Sequence, residues 1–223
     1  MNLDEVPAVI DVHPPHEPMH GWRDFFLHLT TITIGLLIAL SLEGLVEWQH
    51  HRHLVHEAEA SLHAEIKSNA NGLQDILKSV HKQQTELDGD VSTLNAYIKA
   101  PKTQKHTSMS VTFRFSKFDD VSWKTAQSTG ALSYMPYATA QEYSSIYNLQ
   151  GELEAAQLQG ARDAIVSIGS TVNIPDKQNP TPEDAKSMKE HIGVLQAQLL
   201  LVESLIGGLD GEYKKFLAAH PDK

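Results

Sequence analysis

The chain lacks cysteine altogether and has few basic residues for its length of 223. The absence of cysteine excludes disulfides, thiolate metal sites and cysteine nucleophiles, although it does not identify a cellular compartment. The 18 Lys and Arg stand against 28 Asp and Glu, which gives a net charge of −10, and no basic cluster interrupts this acidity. Nucleic acids and anionic lipid surfaces bind through such clusters. We therefore expect no nucleic-acid partner.

Familiar catalytic motifs are also absent from the sequence. It has no glycine-rich phosphate loop, no nucleophile elbow and no zincin motif. His56-Glu57 begins like a zincin helix, but the residue four positions after His56 is Ala60, so the second ligand is missing. Because no pair of titratable residues stands at a spacing that chemistry demands, the sequence favours a non-enzymatic protein without a cofactor.

One long apolar run lies near the N-terminus. Residues 25–42 read FFLHLTTITIGLLIALSL and contain no Asp, Glu, Lys or Arg. At about 1.5 Å per residue, these 18 residues cover about 27 Å, close to the thickness of the bilayer hydrocarbon. A cleaved signal peptide would need a basic start and a clear cleavage site, which are missing here. The sequence therefore predicts one uncleaved transmembrane helix over residues 22–48.

Several residues of this predicted helix suit contacts with lipid or with a partner. Tryptophan rings settle at membrane interfaces, and one stands at each end of the run. A histidine and a glutamate within the span either lie at the interface or face another helix, and the threonines and glycine form a small-residue face that suits helix contact. The predicted contact residues are Trp22, His28, Gly35, Glu43 and Trp48.

On either side of this span we expect a flexible tail and a helical domain. Residues 1–21 are rich in proline and histidine and are predicted to be flexible. Residues 49–223 are predicted to form the extramembrane domain. Its first helix continues from the membrane span to about Lys99, before Pro101. Apolar residues at spacings of 3 and 4 predict its buried seam at Ile66, Ala70, Leu73, Leu77, Val80, Leu87, Val91, Leu94 and Ile98.

Two more helices are predicted in the C-terminal half. One runs from about Thr139 to Ile168, with Tyr143, Ile146, Tyr147, Leu153, Ala156, Ala164 and Ile165 facing inward. The other begins at Thr181, a good N-cap, followed by Pro182. Its predicted seam is Met188, Ile192, Leu195, Leu199, Val202, Ile206, Leu209, Tyr213 and Phe216. Three such helices predict an all-α fold, an antiparallel bundle or coiled-coil-like domain.

The stretch between these helices has two parts. Residues 102–118 alternate apolar and polar side chains, so they form either a strand paired with a second copy or, as we favour, an extended segment laid over the bundle. Residues 119–139 are rich in aromatic side chains and predict a connector packed across the end of the bundle, with a ligand or partner surface as the alternative. Asp120 suits the start of a short helix there and Gly130 its end.

Histidines cluster immediately after the membrane span. On a helix, His53, His56, Glu59 and His63 fall within about 120° of one another. Imidazoles and a carboxylate on one face are typical zinc or copper ligands, so the metal hypothesis names His53, His56 and His63. The alternative is a polar collar at the membrane interface, which would respond to pH near the unperturbed histidine pKa of about 6.5.

The stretches Trp22 to Leu27, Ile34 to Leu40 and Trp123 to Ala126 resemble a loose group of uncharacterised bacterial single-pass membrane proteins. Members of that group look alike in having a short N-terminal anchor and a helical extramembrane domain. The resemblance implies a bacterial inner-membrane location with a cytoplasmic N-terminus and a periplasmic domain, and it implies no particular activity. Arg23 and Arg52 balance at the two ends of the span, so charge alone does not decide the orientation.

Two functions follow as hypotheses. The first is a non-enzymatic membrane protein whose bundle mediates assembly, either with copies of itself or as an accessory subunit of a larger membrane complex. The two long seams and the contact face of the membrane helix motivate it. The second is a membrane-anchored sensor or binding module for a small ligand or a metal ion, which would use the histidine face or the aromatic connector.

Overall fold

The computed structural model describes residues 21–101, 113–172 and 180–221. The predicted flexible tail, except for Gly21, lies outside these residues. The order of elements is α1 (Trp22–Lys99), α2 (Val121–Ser128), one turn of 3₁₀ helix (Ala131–Tyr134), α3 (Tyr137–Val172) and α4 (Pro182–Ala219). The described part of the chain contains no strand. The prediction of an all-α chain is confirmed.

Helix α1 is a single helix of 78 residues. No proline interrupts the sequence between its ends, and Pro101 follows its last turn. The chain nevertheless divides into two compact units, one ending at His50 and the other beginning at His51. In the first unit, every residue from Gly21 to His50 is exposed. The core lies in the second unit.

The start of α4 agrees with its sequence signals. The Thr181 hydroxyl accepts a hydrogen bond from the Asp184 backbone N–H at 3.1 Å, and the Asp184 carboxylate accepts one from the Thr181 backbone N–H at 3.0 Å. This reciprocal pair is a capping box, with Pro182 at the first helical position. Because both groups of Thr181 bond the charged carboxylate, the pKa of Asp184 is lowered.

Helix seams account for most of the core. All nine predicted seam positions of α4 are buried. The α1 prediction holds at Ile66, Leu73, Val80, Leu87 and Leu94, whereas its other four positions are half-buried. In α3 the prediction for Ile165 is wrong, since its side chain is 67% exposed. The core-facing position there belongs to the neighbouring Ala164, and Gln150 and Gln157 are buried along the same face.

Helices α1 and α4 are joined by a regular antiparallel ladder of hydrogen bonds. Its members are seven residues apart on α1 and seven apart, in reverse order, on α4, which is the repeat of a coiled coil. The ladder consists of Gln74–Asp210 at 3.3 Å, His81–Glu203 at 2.9 Å, Asp88–Gln196 at 2.7 Å and Asn95–Lys189 at 2.9 Å.

Helix α3 also runs antiparallel to α4, and therefore parallel to α1. Gln150 bonds Tyr213 near the end of α4, whereas the Ala156 carbonyl accepts from Gln198 farther back. Of the three helix pairs in the predicted antiparallel bundle, α1–α4 and α3–α4 are antiparallel and α1–α3 is parallel. The reason is the stretch after α1, which brings the chain back to the level of Glu65 before α3 begins, as the bonds from Glu65 to the start of α2 show.

The described part of that stretch is neither helix nor strand and lies on the bundle. The Ser116 and Phe118 backbone N–H groups donate to the side chains of Gln157 and Glu154, at 2.9 and 3.0 Å. Phe118 is buried. The Phe113 ring lies against Gly160, where a Cβ atom would come within 2.6 Å of it. The predicted alternation at Met109 and Val111 lies outside the described residues.

Candidate functional site

The apolar run of α1 is fully exposed. Its most apolar 18-residue window has a mean hydropathy of 2.1, and none of it is buried. Soluble monomers rarely expose apolar patches of this size. Helix α4 is the second helix long and apolar enough to cross a membrane, with a hydropathy of 1.6, but a third of its window is buried and its seam lies in the core.

Hydroxyl groups within this run bond to their own helix. Those of Thr30, Thr31, Thr33 and Ser41 donate to the carbonyl oxygens four residues earlier, at 2.6 to 2.9 Å. Such bonds satisfy the hydroxyls without water or a partner, which suits a helix in hydrocarbon. Among the predicted contact residues, Trp22, His28, Gly35, Glu43 and Trp48 are all exposed. Trp22 also packs against the rings of the two following phenylalanines.

The three histidines of the metal hypothesis are not assembled around one point. His53 and His63 are ten residues apart on α1, which is about 15 Å along a helix. The exposed His53 pairs with Glu57 at 3.1 Å, and His56 is exposed. Within the described ranges, no group of three His, Cys, Asp or Glu side chains is placed to hold a metal ion.

His63 instead joins α1 to the end of α4. Its Nε2 lies 2.7 Å from the carbonyl oxygen of His220. A carbonyl only accepts, so the proton of His63 is on Nε2. The centroid of the Phe216 ring lies 6.0 Å from that of His63 and 4.6 Å from that of His220. These contacts tie the last turn of α4 to α1.

A buried carboxylate organises the aromatic connector. Glu65 of α1 is 9% exposed, and it accepts hydrogen bonds from the Tyr147 hydroxyl at 2.6 Å and from the backbone N–H groups of Ser122 and Trp123 at 2.7 and 3.4 Å. These N–H groups belong to the first turn of α2, which an N-cap side chain normally serves. The expected cap, Asp120, makes no such bond. Glu65 therefore caps α2 from another helix.

The ring of Tyr147 is fixed on two sides. The indole of Trp123 stacks on it, with centroids 4.9 Å apart and planes 9° from parallel. Burial, followed by the hydrogen bond to Glu65, raises the pKa of Tyr147 well above its ordinary value. Tyr147 therefore stays protonated and donates to Glu65 at every physiological pH. One turn along α1, Asn69 exchanges two hydrogen bonds with the Asp119 backbone, at 2.8 and 3.0 Å.

The connector packs against the bundle through part of its side chains. Met135 is buried and Trp123 and Leu132 are half-buried, whereas Tyr137 is 82% exposed. Tyr134 is stacked on His51, with centroids 3.6 Å apart. Gly130 has a φ of 75° and ends α2, as its sequence position predicts. The connector therefore acts mainly as a structural cover, with its outer tyrosines at the surface.

A shallow groove lies between α3 and α4 at the same end of the bundle. It has a volume of about 380 Å³, and its lining includes Glu142, Glu212, Lys215 and Phe216. The imidazole of His220 donates to the Glu142 carboxylate at 2.9 Å at this end. The charged side chains of the groove are paired with one another, Lys215 with Glu212 at 3.7 Å and His220 with Glu142 at 2.9 Å, and Phe216 is buried beneath them.

Sequence patterns had not indicated Glu65 or Asn69. Each is a polar residue next to an apolar seam position, and such residues usually face water. The available signal was the four-residue spacing of two polar side chains on the flank of the seam. Comparisons with protein-family models, with curated proteins and with solved structures found no match for this chain.

Proposed function

We propose that residues 22–48 anchor this chain in a bacterial inner membrane as a single-pass helix, and that the helical bundle serves assembly rather than catalysis. The observation that carries the anchor is the uncovered apolar run of α1, with a mean hydropathy of 2.1 and no buried residue. Its hydroxyls are bonded within the helix, and tryptophans stand at both ends. The resemblance noted above supports a periplasmic bundle.

Alkaline extraction of native membranes tests the anchor. The wild-type chain should remain with the membrane pellet, whereas the double variant Leu37→Lys with Ile38→Lys should move to the soluble fraction, because charge in the hydrocarbon is expensive. Val121→Lys is the matched control, since Val121 is 69% exposed in the bundle. A wild-type chain in the soluble fraction would exclude the anchor.

The assembly role rests on the absence of a catalytic signature in the sequence and on side chains that are committed to structure. Three buried or half-buried titratable side chains, those of Glu65, His63 and Tyr147, are hydrogen-bonded within the fold. Native mass measurement in mild detergent, with subunits identified by mass spectrometry, tests the role. A homo-oligomer or a stoichiometric foreign subunit supports it, and a monomer contradicts it.

A small-ligand sensor is the second candidate, and the groove beside Phe216 favours it. Glu142, Glu212 and Lys215 could hold the charged groups of a ligand there. Ligand screening by thermal shift, with Lys215→Glu as the variant, tests this use. The metal version of the hypothesis is tested by replacing His53, His56 and His63 together and measuring bound zinc and copper. Equal, substoichiometric metal in both proteins would exclude it.

A further inference from the structure

One end of the bundle presents two tyrosines that the core does not use. They belong to residues 131–138, which contain the 3₁₀ turn and the start of α3 and which we call the tip. Tyr137 is 82% exposed and Tyr134 is 49% exposed. Met135, between them, is buried. The core therefore holds the tip in place while both phenol side chains stay at the surface.

No charged side chain belongs to the tip. Its sequence is ALSYMPYA, and the longer stretch from 121 to 141 contains no Asp or Glu. Lys124 is the one Lys or Arg in that stretch, and it pairs with Asp120 at 2.6 Å. The first residues of α1 in this unit, 51–56, are also free of acids and include Arg52. Although the whole chain has a net charge of −10, the tip itself therefore offers no carboxylate that would repel lipid phosphates.

The length of the chain keeps the tip close to the end of the proposed membrane helix. Tyr134 stacks on His51, with ring centroids 3.6 Å apart. His51 follows Trp48, the last residue of the proposed anchor, by three positions. Three residues span at most about 11 Å in any backbone conformation. The headgroup layer on each side of a bilayer is about 5 to 8 Å thick, so an anchor that ends at the interface keeps Tyr134 in or next to this layer.

Other elements of the bundle meet α1 farther along its length. The end of α4 meets α1 at His63, through the carbonyl of His220. The start of α2 meets it at Glu65. These two positions are 12 and 14 residues beyond His51, which is about 18 and 21 Å along a helix. Among the described elements, the tip is therefore the first to contact α1 after the proposed anchor.

We propose that the tip is a second membrane contact, with Tyr134 and Tyr137 in the lipid headgroup layer. This contact rests on the proposed function, because it needs the anchor at residues 22–48. Tyrosine suits the headgroup layer, since its ring is apolar and its hydroxyl bonds water and headgroups. The buried Met135 and the left-handed Gly130, with a φ of 75°, fix the tip before contact, so little conformational entropy is lost. The anchor tethers the tip to the bilayer, so even a weak contact stays formed.

The absence of cysteine allows a single probe to be placed beside the tyrosines. Full-length Ala138→Cys carries the fluorophore NBD in vesicles of phosphatidylethanolamine and phosphatidylglycerol. Both leaflets contain a phospholipid with a nitroxide on its headgroup, so the direction of insertion does not matter. We expect at least a twofold loss of emission. Val121→Cys is the control and should lose much less, since Val121 is exposed beside the contact of α2 with Glu65. Equal quenching at both positions overturns the proposal.

Replacing the tyrosine itself separates insertion from proximity to the bilayer. Tyr137→Glu in the labelled Ala138→Cys chain should lower the quenching at least twofold, because a carboxylate is unfavourable among lipid phosphates. The thermal midpoint should not change, because Tyr137 is exposed. Leu200→Glu, at an exposed position of α4, is the matched control and should leave the quenching as it was. Undiminished quenching in Tyr137→Glu overturns the proposal. Should that variant lose helix content by circular dichroism, Tyr137→Ser replaces it, with the same criterion.

Flotation of the same vesicles tests the anchor separately from the tip. A chain that floats with the lipid but is quenched no more at Ala138 than at Val121 keeps the anchor and overturns the tip contact. A chain that does not float overturns both. A blue shift of the Ala138 probe without quenching by the nitroxide lipid means that a protein, such as a second copy, covers the tip, and this result also overturns the proposal.

Discussion

The buried carboxylate of Glu65 gives the sharpest stability prediction. Tyr147→Phe removes one hydrogen bond, of 2.6 Å, to a charged acceptor, and such bonds contribute about 1.5 to 3 kcal/mol. Glu65→Gln keeps the shape of the side chain but replaces one acceptor oxygen by an amide donor. The Tyr147 hydroxyl can accept from the new NH₂ group, but the backbone N–H groups of Ser122 and Trp123 only donate and bond different oxygens of Glu65. Either placement of the amide therefore leaves one of these N–H groups facing NH₂ instead of an acceptor. We therefore expect Glu65→Gln to lower the free energy of unfolding by about 2 to 4 kcal/mol.

The two changes should not add. Once Glu65 is replaced by a neutral side chain, the hydrogen bond that Tyr147→Phe removes no longer involves a charged acceptor and is weaker. The double variant should therefore be more stable than the sum of the single effects predicts, by about 1 to 2 kcal/mol. For a domain of this size, 1 kcal/mol changes the thermal midpoint by about 2 to 4 °C. Tyr147→Phe alone should therefore lower the midpoint by about 3 to 12 °C.

Trp123 provides a local assay, because the other two tryptophans lie at the ends of the apolar run. In a Trp22→Phe, Trp48→Phe background, the fluorescence of Trp123 reports its stacking on Tyr147. Thermal unfolding is followed by this signal and by circular dichroism in the same mild detergent. A midpoint for Tyr147→Phe within 1 °C of the parent, or strictly additive effects, would refute the reasoning that Glu65 is the organising acceptor.

Three further predictions concern the core and the helix surfaces. Leu199→Ala should lower the free energy of unfolding by about 2 to 5 kcal/mol, because Leu199 is 1% exposed in the α4 seam; a chemical unfolding curve measures it, and a loss below 1 kcal/mol would contradict full burial. Burial, and secondarily Glu86, raises the pKa of Asp90. A raised carboxyl pKa means that the folded state favours the protonated form, so stability rises as pH falls through the folded pKa. Asp90→Asn should therefore raise the thermal midpoint at pH 7 and leave it unchanged near pH 3, and the opposite pH dependence would refute the assignment. Gly160→Ala should destabilise the chain by about 1 to 3 kcal/mol, because the added Cβ atom would clash with the Phe113 ring. Gly72→Ala, in open space on α1, should stabilise the chain by about 0.5 to 1 kcal/mol. A gain in stability from both substitutions would show that the Phe113 ring moves aside without cost.

Periodicity predicted the helices better than it predicted their partners. The α4 seam was predictable at every position because one apolar face repeats without interruption from Met188 to Phe216. In α3, apolar residues occur on more than one face, so the pattern fitted Ile165 as well as Ala164. Only the packing against α4 decides between them. The capping role of Glu65 could not be predicted from the sequence for a related reason, since its partners are backbone N–H groups and a tyrosine more than 50 positions away.

Chain direction was not encoded in the helical patterns either. A seam on α1 and a seam on α3 pack with either orientation. The path of the stretch between them sets the choice, and that path depends on bonds such as Asn69 to Asp119 and Glu154 to Phe118. Helix spacing likewise placed His63 beside His56 and His53, but the end of α4 determined what it binds.

The α1–α4 ladder also sets an order of events during synthesis. Its four bonds join residues between 94 and 136 positions apart. The ladder of α1 therefore has no partner until the last 38-residue helix emerges. At about 5 to 20 residues per second, the part of α1 from Gln74 to Asn95 waits several seconds without its α4 partners. The chain should therefore depend on a holdase during biogenesis, and a ribosome-stalled chain that ends before Pro182 should bind one more strongly than the full-length chain does.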